Sequence, residues 1–481
     1  MTDSTRRIAV LPLANISQDP DDEYLADGMT EELISTISKI AGLGVIARTS
    51  IMRYKKTSKS IVEIGKELGV ESVVEGSIRK AGTKLRISAQ LVDASTEQPI
   101  WTETYDRDVQ DALTIQKDIA ERIANALKIE VVKNGVLRSE RSPTQSLEAY
   151  EYYLKGRVFL NRRTEDDLKK AIDSFASALR RDPEYALAYS GLADSHAATA
   201  LLEFVPPKDA FPLSLNATEN ALSIDSGLAE AHASLGLLRF QYLWDWTGSE
   251  LEFKRALEIN SNYAATHQFY ADYLKAMGRF DEALAEMSRA QALDPLSLSI
   301  NTGIGHVLYL SRQYDRALEQ YEKTIDIDPT FLPSRLWYGR PLLQKGMYKE
   351  AIAELTEAVK LSRNSTVSLA MLGQAYGAAG NKKAMEGILE KLRQRSKTEY
   401  VASYWIAMIY VGRGDKDQAF AWFDRAFQER SSWLVWIGVE PRLDVLRSDS
   451  RFGSLLGKMQ LFPEKKELGI RSWIKGPARQ P

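Results

Sequence analysis

The chain of 481 residues contains no cysteine, and that absence removes disulfides, thiolate catalysis and cysteine-ligated zinc together. Histidine is nearly as scarce, with four residues: His196, His232, His267 and His306. No apolar run approaches the roughly 18 residues that read as a membrane-spanning helix. The early stretch Ile8 to Ala14, interrupted by Pro12 and followed by Asn15 and Ser17, is too short and wrongly flanked for a signal peptide. Charge of one sign is lacking too. With 63 basic and 65 acidic residues the net charge is −2, which argues against the broad polyanion-binding surface of a nucleic-acid partner. A bacterial cytoplasmic protein is the expectation. What is abundant is apolar content, 44% of the chain, enough for several cores.

The first 130 residues alternate between strand and helix signals. An apolar run from Arg7 to Leu13 predicts a buried strand. Asp27 is placed to cap a helix bearing Leu33, Ile34, Ile37 and Ile40, with Glu31 and Glu32 near its positive end. A second strand follows over Leu43 to Ala47. Ser60 with Glu63 forms a capping box ahead of Ile61, Ile64 and Leu68, and Gly69 stops that helix. From Val70 the period becomes two: Val74, Gly76 and Ile78, then Leu85, Ile87, Ala89 and Leu91 after the Ala81–Gly82 turn, predict an antiparallel hairpin. Ile100 to Tyr105 adds a strand, and Val109, Ala112, Ile115, Ile119, Ile123 and Ala126 a closing amphipathic helix. The expectation is an α/β unit of roughly five strands and three helices.

Several of these segments carry a likeness as well as a pattern. Ala9 to Pro12, Tyr24 to Leu33, Val74 to Arg79, Ala89 to Ala94, Ile100–Trp101 and Tyr105 to Arg107 resemble, in order and spacing, the TolB amino-terminal-like domain related to the FlgO type. In that family the domain joins a class III adenylate cyclase or a winged-helix transcription regulator to helical repeats. The resemblance therefore implies a regulatory role, with an output domain expected on another chain.

Farther along, Gly156, Ala193, Gly236, Ala271, Gly305, Gly339, Gly373 and Ala407 recur inside apolar helical patterns, and the last five steps are 35, 34, 34, 34 and 34 residues. This interval, with an aromatic such as Phe175 or Tyr321 on a second helix and Pro183, Pro295 or Pro329 behind it, resembles the tetratricopeptide family. Small residues let paired helices approach where they cross. The expected organisation is 1–130 for the α/β domain, 131–147 for a linker and 148–435 for an all-α superhelical solenoid of about eight repeats. A C-terminal cap over 436–461 is expected to cover the last repeat, and 462–481 to be a poorly ordered tail.

The four histidines follow the repeat spacing, which sets them about 10 Å apart on successive helices, whereas metal ligands must converge. No complete phosphate loop or nucleophile elbow occurs, and neither cofactor nor catalytic residue is expected. The basic run holding Arg48, Arg53, Lys55 and Lys56 before the Ser60 helix start is a candidate anion site, with a solvated loop as the plainer reading. In tetratricopeptide arrays the first helix of each pair lines the concave groove. The resemblance accordingly places Arg157, Asp194, Asp272, His306, Arg340 and Gln374 there, with Tyr153, Asn161, Gln268, Lys275, Thr302, Tyr309 and Gln344 on the same face. Such a surface suits an extended protein or peptide segment, with arginines clamping carboxylates. A non-catalytic interaction or sensory scaffold of bacterial signalling is the function expected. The alternatives are the regulatory part of a cyclase or transcription-regulator system, or a weak nucleotide-binding enzyme.

Overall fold

A computed structural model describes residues 6–129 and 144–461. The expected tail, and residues 131–143 of the expected linker, lie outside the described residues. The N-terminal region holds β1 (Arg6–Val10), β2 (Ala14–Asn15), α1 (Glu23–Ser38), β3 (Leu43–Val45), α2 (Arg48–Ile51), α3 (Ile61–Leu68), β4 (Ser72–Ala81), β5 (Lys84–Asp93), β6 (Pro99–Asp108) and α4 (Ala112–Ala126). Its sheet runs β3-β1-β4-β5-β6, with β2 also on β4. The β1 pairings with β3 and β4 are parallel, while β4, β5 and β6 pair antiparallel. Apolar residues of period two, including Val74, Ile78, Ile87 and Leu91, are buried in a core shared with α1 and α4. The Ser60–Glu63 capping box forms as its spacing dictates, and Gly69 closes α3 at φ +62°, the left-handed conformation that glycine adopts without steric cost. One boundary differs. Helix α1 begins at Glu23, not behind Asp27, because Asp27 lies inside the helix and pairs with Lys55 at 2.6 Å.

Eight helical pairs follow: α5 and α6 (Leu147–Arg162, Glu165–Arg181), α7 and α8 (Ala186–Leu201, Pro207–Ile224), α9 and α10 (Ala229–Leu238, Trp246–Ile259), and α11 and α12 (Ala264–Ala276, Phe280–Leu293). They continue as α13 and α14 (Leu298–Leu310, Tyr314–Ile327), α15 and α16 (Leu332–Gln344, Tyr348–Leu361), α17 and α18 (Thr366–Ala378, Lys382–Arg395), and α19 and α20 (Ser403–Arg413, Lys416–Gln428). The chain is therefore an α/β region followed by an all-α solenoid. A short helix, α21 (Ser450–Lys458), is the last element among the described residues.

The repeating glycine has a direct physical reason. A Cβ placed on Gly305 would stand 2.6 Å from the Tyr321 ring, so α13 and α14 cross at a distance only glycine permits. Gly305→Leu is expected to lower unfolding stability by about 1–3 kcal/mol through overpacking. An unshifted urea midpoint for this variant would contradict the packing.

The array also meets itself end to end. Glu203, in the α7–α8 connection, accepts a 2.8 Å hydrogen bond from the Trp405 indole of α19. Arg430 donates to the Tyr242 carbonyl at 3.2 Å, and the Trp246 indole donates to the Met459 carbonyl at 3.0 Å. These contacts bind the second and third pairs to the last pair and the C-terminal segment, so the first helices of successive pairs surround a common interior.

Candidate functional site

That interior is the face on which the groove residues were expected, and the structure fills much of it with the chain's own ends. At the N-terminal end α1 packs on α5. Glu31 accepts from Arg157 Nε at 2.9 Å and from Asn161 Nδ2 at 2.9 Å, and Arg48 joins the same carboxylate at 3.1 Å. Beside it Glu32 accepts from the Tyr153 hydroxyl at 2.7 Å, and burial pushes its carboxyl above the usual range. Two sequence candidates, the basic run at Arg48 and the groove at Arg157, thus converge on one acidic residue. Both Glu31 and Glu32 are buried although they stand on a helix, because α1 has the sheet on one side and α5 on the other.

A second set of contacts fixes the same region to the connections between pairs. Asn262 donates to the carbonyls of Ser38 and Leu43, each at 2.8 Å. The Ser50 amide donates to Asp294 at 2.9 Å, and the Ala47 amide to the Leu293 carbonyl at 2.7 Å.

On the remaining interior the C-terminal segment returns over the first helices of the later pairs. Glu440 accepts from the Tyr309 hydroxyl and from Arg442 Nη2 at 2.8 Å, with Arg340 at 3.8 Å. Arg442 also donates to Gln374 at 2.6 Å. The Arg340 guanidinium lies 3.8 Å from the centre of the Trp337 ring, a stacked cation–π contact, and Lys275 stands over Trp436 at 5.2 Å. His306 is ringed by Tyr309, Trp337 and Trp436; burial, then the charges of Lys275, Arg340 and Arg442, hold its imidazole well below its ordinary value and so neutral.

Two expectations are corrected by this geometry. The interior face is not an open groove along its whole length: Tyr153, Lys275, Thr302, His306, Tyr309, Arg340 and Gln374 are buried. The physical reason is that first-helix positions carry large aromatic surfaces that need cover, and the two ends of the chain supply it. Nor does the segment over 436–461 only cap the last pair, since Glu440 and Arg442 reach back to α13, α15 and α17. Asn161 is exposed, while Asp194, Gln268, Asp272 and Gln344 are partly exposed. Within that group Asp194 accepts from Ser234 at 2.6 Å, Gln268 donates to Ser299 at 2.8 Å, and Asp272 pairs with Lys275 at 2.5 Å. Thr302 and Ser334 share a hydrogen bond of 2.8 Å.

The basic run disperses. Arg48 faces Glu31, Lys55 bridges Glu23 and Asp27 at 2.7 and 2.6 Å, and Arg53 and Lys56 are exposed. The histidines take repeat-specific partners instead of meeting. His232 Nδ1 lies 2.7 Å from Glu252 and His267 Nδ1 lies 2.6 Å from Glu286, each linking the two helices of its own pair.

Residues 4–126 match the model of the HilA/YgeH-like transcriptional regulator, second domain. Residues 271–330 match the tetratricopeptide repeat. The chain therefore joins a HilA-like region to tetratricopeptide repeats. It is similar to "Putative adenylate cyclase 3" of Rhizobium meliloti (strain 1021), 37% identical over 185 residues, 38% of this chain and 32% of that protein. It is also similar to human "Tetratricopeptide repeat protein 13", 26% identical over 125 residues, 26% of this chain and 14% of that one. The chain spans about a third or less of the length of these curated relatives. Among solved structures, Pseudomonas aeruginosa pilF is 19% identical with a TM-score of 0.34, covering 46% of this chain and 95% of that one. The tetratricopeptide repeats support a protein-interaction scaffold, and no described helix is long and apolar enough to cross a membrane.

From the sequence Glu31 and Glu32 read only as carboxylates near a helix's positive end, and Glu440 and Arg442 carry no site role. The usable signal was their setting: Glu31–Glu32 stands between Met29 and Leu33–Ile34, and Glu440–Arg442 between Trp436 and Leu443, charges embedded in apolar neighbours.

Proposed function

We propose that this protein is a non-catalytic interaction and sensory scaffold of bacterial signalling, acting as the regulatory part of a nucleotide cyclase or transcription-regulator system. The HilA-like region, which also resembles the TolB amino-terminal-like type, reads an effector. The repeats present the surface that a protein or peptide partner recognises. The observation that carries this reading is the Glu31 junction. One carboxylate holds Arg48 of the N-terminal region and Arg157 and Asn161 of the first repeat, so a shift in the former is felt by the latter. Support also comes from the likeness to a protein named as a putative adenylate cyclase.

Within this reading the partner meets the interior face where it is still reachable, at Asn161, Asp194, Gln268 and Asp272 of the early repeats. Amides and carboxylates there suit the backbone of an extended segment. Full-length protein is expected to retain a partner through purification, and Asn161→Ala with Gln268→Ala to lose it without change in circular dichroism. Retention by the double variant would refute the assignment. Purified protein is expected to form no cyclic AMP from ATP, and turnover would refute the non-catalytic reading.

A further inference from the structure

The three antiparallel strands of the HilA-like region have two unlike faces. Register and side-chain alternation set Glu75, Gln90 and Thr102 in one row, Ser77, Ser88 and Thr104 in the next, and Arg79, Arg86 and Asp106 in a third, all on the same side. An antiparallel sheet with one solvated face is ordinary. Here, however, the Tyr54–Ser60 connection and α3 stand beside the first two rows and border an open cleft of about 460 Å3. That size falls in the range of small-molecule sites, roughly 300–1,000 Å3.

Its lining is divided by chemistry. Leu11, Pro12, Ile61 and Ile64 supply an apolar wall. Ser77, Ser88, Gln90 and Thr102 supply a hydrogen-bonding floor, on which the hydroxyls of Ser77 and Thr102 make no hydrogen bond among the described residues. Lys56 and Lys59 also line it. Lys59 pairs with Glu67 at 2.5 Å, whereas Lys56 has no ion pair among the described residues. The acidic group in the lining, Glu75, is held by a hydrogen bond from the Gln90 amide to one oxygen, which leaves the other free to accept from a ligand.

We propose that this cleft binds a small amphiphilic organic anion: an acid group at Lys56 and Lys59, an apolar body against Ile61 and Ile64, and a donor directed at Glu75. The proposal deepens the sensory reading, on which its regulatory meaning rests. The connection that borders the cleft continues from α2, whose Arg48 and Ser50 hold Glu31 and Asp294, so an occupant presses on the segment that ties the HilA-like region to the repeats.

The test uses full-length protein and anilinonaphthalene sulfonate, a fluorescent anion with an apolar body and one N–H donor. One equivalent is expected to bind saturably, and Lys56→Glu with Lys59→Glu to weaken binding about tenfold or more. Arg53→Glu changes a charge immediately before that connection and outside the cleft lining, and is expected to leave binding within about twofold. All three substituted residues are exposed, and unchanged circular dichroism confirms folding. Absence of saturable binding overturns the proposal, as does equal binding by the lysine variant or equal weakening by Arg53→Glu. Because the readout is probe binding and not partner retention, failure here leaves the scaffold reading standing or falling on its own test.

Discussion

Glu440→Ala is expected to lower unfolding stability by about 3–5 kcal/mol, the cost of leaving buried cations without their counter-charge. Glu440 and Arg340 are each 1% exposed and Arg442 is 5% exposed. Burial alone would raise the Glu440 carboxyl, but Arg442, Arg340 and the Tyr309 hydroxyl outweigh it and hold it at about 2. Without the carboxylate, Arg442 keeps Gln374 as a partner, while Arg340 keeps the Trp337 ring and a 3.3 Å contact from its Nη1 to the neutral His306 Nε2, neither of which carries a counter-charge, and its Nε and Nη2 have no hydrogen-bond partner among the described residues. Urea unfolding measures the loss. The exposed pair Glu390–Arg393 serves as the control, where Glu390→Ala is expected to leave the urea midpoint unchanged because the pair is screened by solvent. The result also decides how the C-terminal segment acts. A loss under about 1 kcal/mol would mean that the segment lifts off easily and that a partner could take its place; the full loss marks it as part of the folded core.

The solenoid was legible in the sequence because its packing is local. Gly305 meets Tyr321, Gly339 meets Leu355 and Gly156 meets Phe175, all within one helical pair, so each contact leaves a trace at fixed spacing. The capping box at Ser60 and the hairpin at Gly82 are local for the same reason. The contacts that define the interior are not. Arg157 and Glu31 are 126 residues apart, Tyr309 and Glu440 131, Trp405 and Glu203 202, and no period joins such partners. A polar residue on a first helix reads alike whether it meets water or a buried counter-ion. The face could therefore be read from the sequence, but its occupants could not.

Between about pH 4.5 and 7 the protein is expected to lose stability as pH rises, and Glu203 and Asp294 are the cause. Burial raises Glu203 from 4.5 to about 7, with the Trp405 hydrogen bond offsetting part of the effect. Burial likewise raises Asp294 from 3.8 to about 6 against the hydrogen bonds from Ser50. In the unfolded chain both carboxyls ionise first, so over this window the folded state holds more protons and stability falls with pH. Each contribution is fully present below the unfolded value and gone above the folded one. At about 1.4 kcal/mol per pH unit of difference, each group accounts for up to roughly 3 kcal/mol. Glu440, held at about 2, has the opposite sign: its contribution is present above 4.5 and is lost as pH falls toward 2. Maximum stability is accordingly expected near pH 4–5 for these three groups together. Glu203→Gln removes the upper part of the slope and is expected to raise stability at pH 8 by up to about 3 kcal/mol, since a neutral amide can still accept from Trp405. Asp294→Asn flattens the lower part, between about pH 4 and 6. Urea unfolding at half-unit steps from pH 4 to 8 reads both. An unchanged slope in Glu203→Gln would mean that the carboxyl reaches water, and that the contact closing the second helical pair against the last is looser than its 2.8 Å bond to Trp405 implies.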